Sequence, residues 1–259
     1  MLNVDSQPRP PVWMSDPLFK DASAAARLLT GSRRHPLRKA KGLRGVPDIA
    51  RLLRSLPSLV VPASAVNTPI AEHLQGGSRL PGMRRLRLCQ AVLPLEATQE
   101  RYLAGKSRGR LRTNLHRADD LGITCAPVAG DDDKRALVQS LSNYLNKYSV
   151  RDEDLFRFPQ DIWMEARTGD GEQVAMALLS QSSGYALLSC LIANTDHPAS
   201  SPARFALHAA VVDHLRARGA QTLFVHGKSP LVIESGLQFF QHLNGYRLMN
   251  VRLGSAQSS

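Results

Sequence analysis

The chain predicts an α/β protein built on a mixed (α+β) sheet, and three observations carry that expectation. An apolar run, Tyr185–Ala193, gives way to a polar loop, Asn194–Pro202, and then to an amphipathic run that ends at Gly219. A second β-type run, Gln221–Val225, follows at once. A short helix with paired aromatics, Gly236–Leu243, then leads through Asn244-Gly245 into a last strand, Tyr246–Leu253. Strands alternating with helices in this way point to a sheet covered by helices.

Taken from the N-terminus, residues 1–18 hold four prolines and little apolar periodicity, which predicts a mobile tail. Ala22, Ala25, Ala26 and Leu29 recur at helical spacing, so a short helix is expected over Asp21–Leu29, completing a first region of residues 1–30. Gly31–Gly45 carries six Lys or Arg, three Gly and no acid, as a flexible basic arm or a loop over a phosphate. Val46–Leu56 has Ile49, Leu52, Leu53 and Leu56 on one helical side and Arg51 and Arg54 on the other. Leu59–Pro62 reads as a strand, Ile70–Leu74 as a turn of helix, and Gly76–Gly82 as a loop, so residues 31–85 form a small basic unit. Leu86–Leu95 is β-compatible and is expected to open a second unit, residues 86–254.

Within that unit, Ala97–Leu121 predicts two helices broken near Gly105 and Gly109, because glycine lowers helix stability. Gly122 ends the second helix and Ile123–Val128 is a strand. Asp131–Tyr148 reads as one helix whose triple-Asp start complements the helix dipole, and Phe158–Ala166 as the beginning of another. Gln173–Gln181 and Tyr185–Ala193 are strands joined by a turn at Ser182-Ser183-Gly184.

The net charge of +11 is concentrated: Arg27–Arg117 holds 19 Lys or Arg against four acids, while the remainder is slightly acidic. Such asymmetry fits a polyanionic partner, and equally a solvated basic face. No apolar run approaches the roughly 20 residues that span a bilayer, and the N-terminus lacks a signal peptide's regions, so a cytoplasmic protein is expected. Cys89, Cys125 and Cys190 are far apart and read as packing residues, and the histidines lack metal-ligand spacing.

Three segments carry a resemblance to a known family: Lys106–Ala118 with the strand after it, Pro202–Gly219, and Gly236–Tyr246. In this order they resemble the arginine-rich helix, the central helix and the last helix of the GNAT superfamily of N-acyltransferases. They look most like its FemABX-type branch, which includes aminoacyl-tRNA-dependent transferases. The resemblance covers about two thirds of the chain and implies a GNAT-like fold preceded by a small or degenerate N-terminal unit. It implies an N-acyltransferase that moves an acyl or aminoacyl group from acyl-CoA or aminoacyl-tRNA to a small-molecule or peptide amine.

Two departures from the family pattern bear on the donor. The loop that cradles the pyrophosphate in acyl-CoA-binding members is here His197–Arg204, with two prolines and no glycine, and each proline removes an N–H donor. Ser200, Ser201 and Arg204 remain to hold one phosphate. The tyrosine that many members use to protonate the leaving thiolate falls near Phe239 or Phe240, leaving Tyr246 as the nearby phenol. Lys106, Arg108, Arg110, Arg112 and Arg117 offer phosphate-binding groups, or else pair with acids elsewhere. Asp196 and His197, where a strand meets the loop, are candidates for the base or for loop capping, and His226 is expected to face the same crevice. A donor other than acyl-CoA, an acyl-CoA enzyme with an atypical loop, and a non-catalytic RNA- or polyanion-binding module are the three readings that remain.

Overall fold

The computed structural model describes residues 13–31, 41–76, 79–80, 83–96, 98–147, 150–158 and 161–254. In chain order the first elements are α1 (Pro17–Gly31), α2 (Val46–Ser55), β1 (Ser58–Pro62), α3 (Thr68–Gly76), β2 (Arg79–Leu80), β3 (Met83–Arg87) and β4 (Gln90–Pro94). There follow α4 (Gln99–Leu103), α5 (Gly109–Asp120), β5 (Thr124–Val128), α6 (Asp131–Ser140), α7 (Ser142–Lys147) and α8 (Asp152–Leu155). The chain closes with β6 (Ile162–Arg167), β7 (Gln173–Ser182), β8 (Tyr185–Ala193), α9 (Ser200–Ala217), β9 (Thr222–Val225), α10 (Ser235–Leu243) and β10 (Arg247–Gly254). No described helix is long and apolar enough to cross a membrane.

The chain divides into two compact units that do not follow a single cut near residue 85. The first gathers residues up to Val60, Gly76–Leu93 and Lys228–Arg252, and the second Val61–Gln75, Pro94–Gly227 and the residues from Leu253.

In the first unit, Phe19, Ala22, Ala25, Ala26 and Leu29 of α1 meet Ile49, Leu52 and Leu53 of α2 in one core with Leu88, Cys89, Leu231 and Leu248. Proline in the first turn and Asp48 near the N-terminus suit the start of α2. Gly45 precedes that helix because a Cβ there would meet the Ala25 Cβ at 2.3 Å. The strands run in the order β1–β10–β4, with β10 antiparallel to β4 and Arg247 opposite Val92. Of the segment expected as a mobile tail, residues 1–12 lie outside the described residues, and Trp13 is buried: its ring packs edge-on against Phe19 at 5.3 Å and its indole N–H donates to the Tyr246 carbonyl at 3.1 Å. Of the basic segment, residues 32–40 lie outside the described residues, while Lys41–Arg44 is helical.

In the second unit the strands run β9–β8–β7–β6–β5, antiparallel except for β8 and β9, which are parallel. β7 is buried from Val174 to Ser180, as a central strand with both faces covered must be. Leu137, Val138, Leu141 and Leu145 pack on one face against Trp163, Met176, Leu178 and Ile192. The long helix α9 packs against β5–β8 and against α5. Two sequence expectations fail here. Phe158–Ala166 does not start a helix, because Ile162–Arg167 pairs with β5 on one side and β7 on the other, and two ladders outweigh weak local preference. The single helix from Asp131 is two, broken at Leu141, which turns its fully buried side chain into the core; Tyr148 lies outside the described residues.

Candidate active site

β8 is the strand at which pairing changes direction, antiparallel to β7 and parallel to β9. The parallel pairing runs from Tyr185 opposite Thr222 to Leu188 opposite Val225 and then stops, while β8 continues to Ala193. At that level the β7–β8 ladder is irregular: Leu178 faces Cys190 and Leu179 faces Leu188, so Ser189 is an extra residue that bends β8. Gly227, at φ +117, turns the chain away just after β9, a conformation that a side chain would strain. The result is a wedge: over Ser189–Ala193, β8 has no strand partner on its β9 side among the described residues. Crevices at the carboxyl ends of strands, where strand order switches, are where open α/β sheets place ligands.

His226 stands at the base of this wedge. Its backbone N–H donates to the Leu188 carbonyl at 2.9 Å, and its side chain is solvent-accessible. The ring lies 5.4 Å from that of His73 on α3, and partial burial lowers its pKa below the ordinary 6.5, so the imidazole is neutral at pH 7. His73 was not singled out from sequence, where it is one histidine in a short helix.

Asp196 and His197 follow the far end of β8, which runs on to Ala193. Extending the register puts His226 level with Ser189, and the strand from there to the loop covers about 16 Å. The loop also occupies both residues. The Asn194 carboxamide oxygen accepts the N–H groups of Asp196 and His197, each at 3.1 Å, and the Tyr144 hydroxyl donates to Asp196 Oδ2 at 3.3 Å. His197 Nδ1 accepts the Ala199 N–H at 3.1 Å, and Nε2 lies 3.5 Å from Glu172 Oε2. In this loop the His197 ring caps the Ala199 N–H.

The basic helix sorts its residues by direction. Arg112 turns back, donating from Nη1 to the carbonyls of Leu103 at 2.7 Å and Gly105 at 3.0 Å, which pins the break before α5. Arg108 lies over the buried Tyr102 ring at 5.6 Å. Lys106, Arg110 and Arg117 are exposed. An open cleft of about 430 Å³ is lined by Asn114, Arg117, Asp120 and Leu121 at the end of α5 and by Pro198, Ser201 and Pro202 at the start of α9. It brings Arg117 and Ser201, candidates from distant segments, onto one site. Ser200 and Arg204 are half-buried in the first turns of α9, and the Ser200 N–H is bonded to the His197 carbonyl at 3.0 Å.

Tyr246 is fully buried in the first unit and Phe240 nearly so, which removes Tyr246 as a proton donor in contact with substrate. Burial pushes the Cys89, Cys125 and Cys190 thiols up to about 12, 11 and 12, in keeping with packing roles. Among the described residues no group of three or more His, Cys, Asp or Glu is placed to hold a metal.

No family model matches the chain, and no curated protein matches it in sequence. Among solved structures, FemX is similar over 62% of this chain and 59% of its own, at 11% identity and a TM-score of 0.50. The C-terminal domain of a putative lysylphosphatidylglycerol synthetase from Agrobacterium fabrum is similar over 62% of this chain and 58% of its own, at 19% identity and a TM-score of 0.45. A tandem GNAT protein from the clavulanic acid biosynthesis pathway is similar over 84% of this chain and 68% of its own, at 13% identity and a TM-score of 0.39. The chain spans less than two thirds of the length of the first two. The likeness is one of fold: this is a mixed α/β chain with a fold like that of FemX.

Proposed function

We propose that this chain is an N-acyltransferase that moves an acyl or aminoacyl group from a phosphate-bearing donor to an amine. The observation that carries this reading is the wedge at Ser189–Ala193, which opens at the switch strand beside a neutral, accessible imidazole, with the Arg117–Ser201 cleft at the start of the helix that follows β8 in the chain. The donor's carbonyl lies along the open edge of β8, where unpaired backbone N–H groups can stabilise an oxyanion. The donor's phosphate lies at Arg117 and Ser201, with Lys106 and Arg110 adding attraction along the same helical region.

His226 takes the proton that the attacking amine loses as the C–N bond forms. The tetrahedral intermediate then expels the donor's oxygen or sulfur, which leaves with a proton returned by the imidazolium. This use of one group twice fits a chain in which Tyr246 is buried and the family resemblance puts the usual acid near Phe239 or Phe240. Pro198 and Pro202 in the cleft lining lack N–H donors, which favours a single phosphodiester, as in an aminoacyl-tRNA terminus, over the pyrophosphate of acyl-CoA.

Titration of the purified protein with tRNA and with CoA, followed by transfer of a labelled aminoacyl group to a small amine, tests the reading. Salt-sensitive tRNA binding with transfer is the expected result. Transfer from acyl-CoA alone would move the donor assignment to CoA, binding of tRNA without transfer would make the chain a polyanion-binding module, and failure of both ligands to bind overturns the proposal.

A further inference from the structure

We infer that His73 is a positioning residue that sets the orientation and hydration of the His226 ring; this rests on the assignment of His226 at the wedge. The inference comes from how firmly one imidazole is held and how loosely the other is. His226 follows the last residue of β9, and beyond its own backbone hydrogen bond to Leu188 the chain departs at Gly227, φ +117. Nothing in the strand itself fixes the two side-chain torsions of an accessible histidine.

α3 supplies what the strand does not. Its Ile70 and Leu74 are fully buried, and Asn67 ahead of it donates from Nδ2 to the Gln181 carbonyl at 3.3 Å. On its outer side Glu72 accepts from Arg157 Nη2 at 3.0 Å. These three ties fix α3, and His73, half-buried, presents its ring to His226 at a centroid distance of 5.4 Å and an interplanar angle of 47°. Glu72 is paired with Arg157, Lys228 is exposed two residues beyond His226, and burial rather than any charge is what lowers the His226 pKa. The contact between the rings, not a fixed charge, is then what acts on His226.

A ring at that distance does two things that a base requires. It restricts the rotamers that His226 can adopt, and it displaces water from one face of the imidazole, which favours the neutral form. A purely structural stack would hold α3 in place without any consequence for the titration or mobility of His226.

The test is a titration of the His226 imidazole C–H resonances by NMR in the full chain without substrate, comparing wild type with His73→Ala and His73→Phe. The expected result is a His226 pKa that rises toward 6.5 and broadened resonances in His73→Ala, with the shift largely absent in His73→Phe, which keeps a ring in place. Where transfer is measured, His73→Ala should lower kcat about tenfold with KM little changed, and His73→Phe should recover most of it. A His226 titration identical in wild type and His73→Ala, at an unchanged thermal midpoint, overturns the inference. Because the titration needs no substrate, failure of the transferase reading would show separately, as His226→Ala retaining full transfer activity.

Discussion

Two histidines stand just past the ends of neighbouring parallel strands, and the chain uses them in opposite ways. After β8, His197 is turned into its own loop: Nδ1 caps the Ala199 N–H and Nε2 faces Glu172. After β9, His226 is tied only through its backbone and leaves its ring accessible against His73. What separates them lies one or two residues downstream. Pro198 has no N–H, so the next donor, that of Ala199, is met by the His197 ring, whereas Gly227 takes the chain sharply away from His226. The arginines of α5 repeat the contrast, with Arg112 bound to backbone carbonyls and Arg117 open to the cleft. Residue type at a strand or helix end is therefore a weak guide to chemistry until its own loop's hydrogen bonds are counted.

The largest expected effect comes from exchanging the two histidines for alanine. His226→Ala should lower kcat/KM by about 10²–10⁴-fold with the thermal midpoint unchanged, the range for removing one general base. His197→Ala should leave kcat/KM within a few-fold and cost about 1 kcal/mol of stability, the scale of a lost capping hydrogen bond. Steady-state transfer assays and thermal melts on both variants check this, and an inactive His197→Ala that melts normally would reverse the contrast.

The wedge region shows how far sequence carries such a reading. The helix–strand order from Tyr185 onward and the break at Gly105–Gly109 were legible, because apolar periodicity and glycine act locally. The Ser183-Gly184 turn, with Ser183 at φ 49, was legible for the same reason. The strand at Ile162–Arg167 was not, since its apolar run suits a helix equally well and only pairing with β5 and β7 decides between them. The juxtaposition of Arg117 with Ser201 was available only as two separate candidates. The contact of His73 with His226 left no trace in spacing at all, because the two residues are far apart in the chain and only the tertiary fold brings their rings together.

A third histidine sharpens the comparison through stability. His208, in the middle of α9, is fully buried with Nδ1 3.2 Å from the Tyr102 hydroxyl, and burial lowers its pKa to about 3, with the Arg108 charge adding to the shift. The unfolded chain takes up a proton at this position below about pH 6.5. The folded chain does not until about pH 3. Between those limits the unfolded state binds more protons, so stability should fall by about 1.4 kcal/mol per pH unit as the solution is acidified. Denaturant unfolding between pH 7 and 4.5 should show this slope in wild type and a reduced slope in His208→Gln. An equal slope in both would place the acid sensitivity elsewhere.

The smallest effect separates the two arginines. Arg112→Ala removes two hydrogen bonds to carbonyls at an exposed helix start, so it should cost about 1 kcal/mol, a fall of about 2–4 °C in the thermal midpoint. It should leave tRNA binding nearly intact, because that guanidinium is already committed to Leu103 and Gly105. Arg117→Ala should do the opposite, holding the midpoint while weakening tRNA binding and flattening its dependence on salt by about one phosphate contact. Melting curves and tRNA titrations at two salt concentrations decide the matter. If Arg112→Ala weakens binding while Arg117→Ala lowers the midpoint, the inward and outward roles on α5 are interchanged and the cleft at Ser201 is not where the donor's phosphate lies.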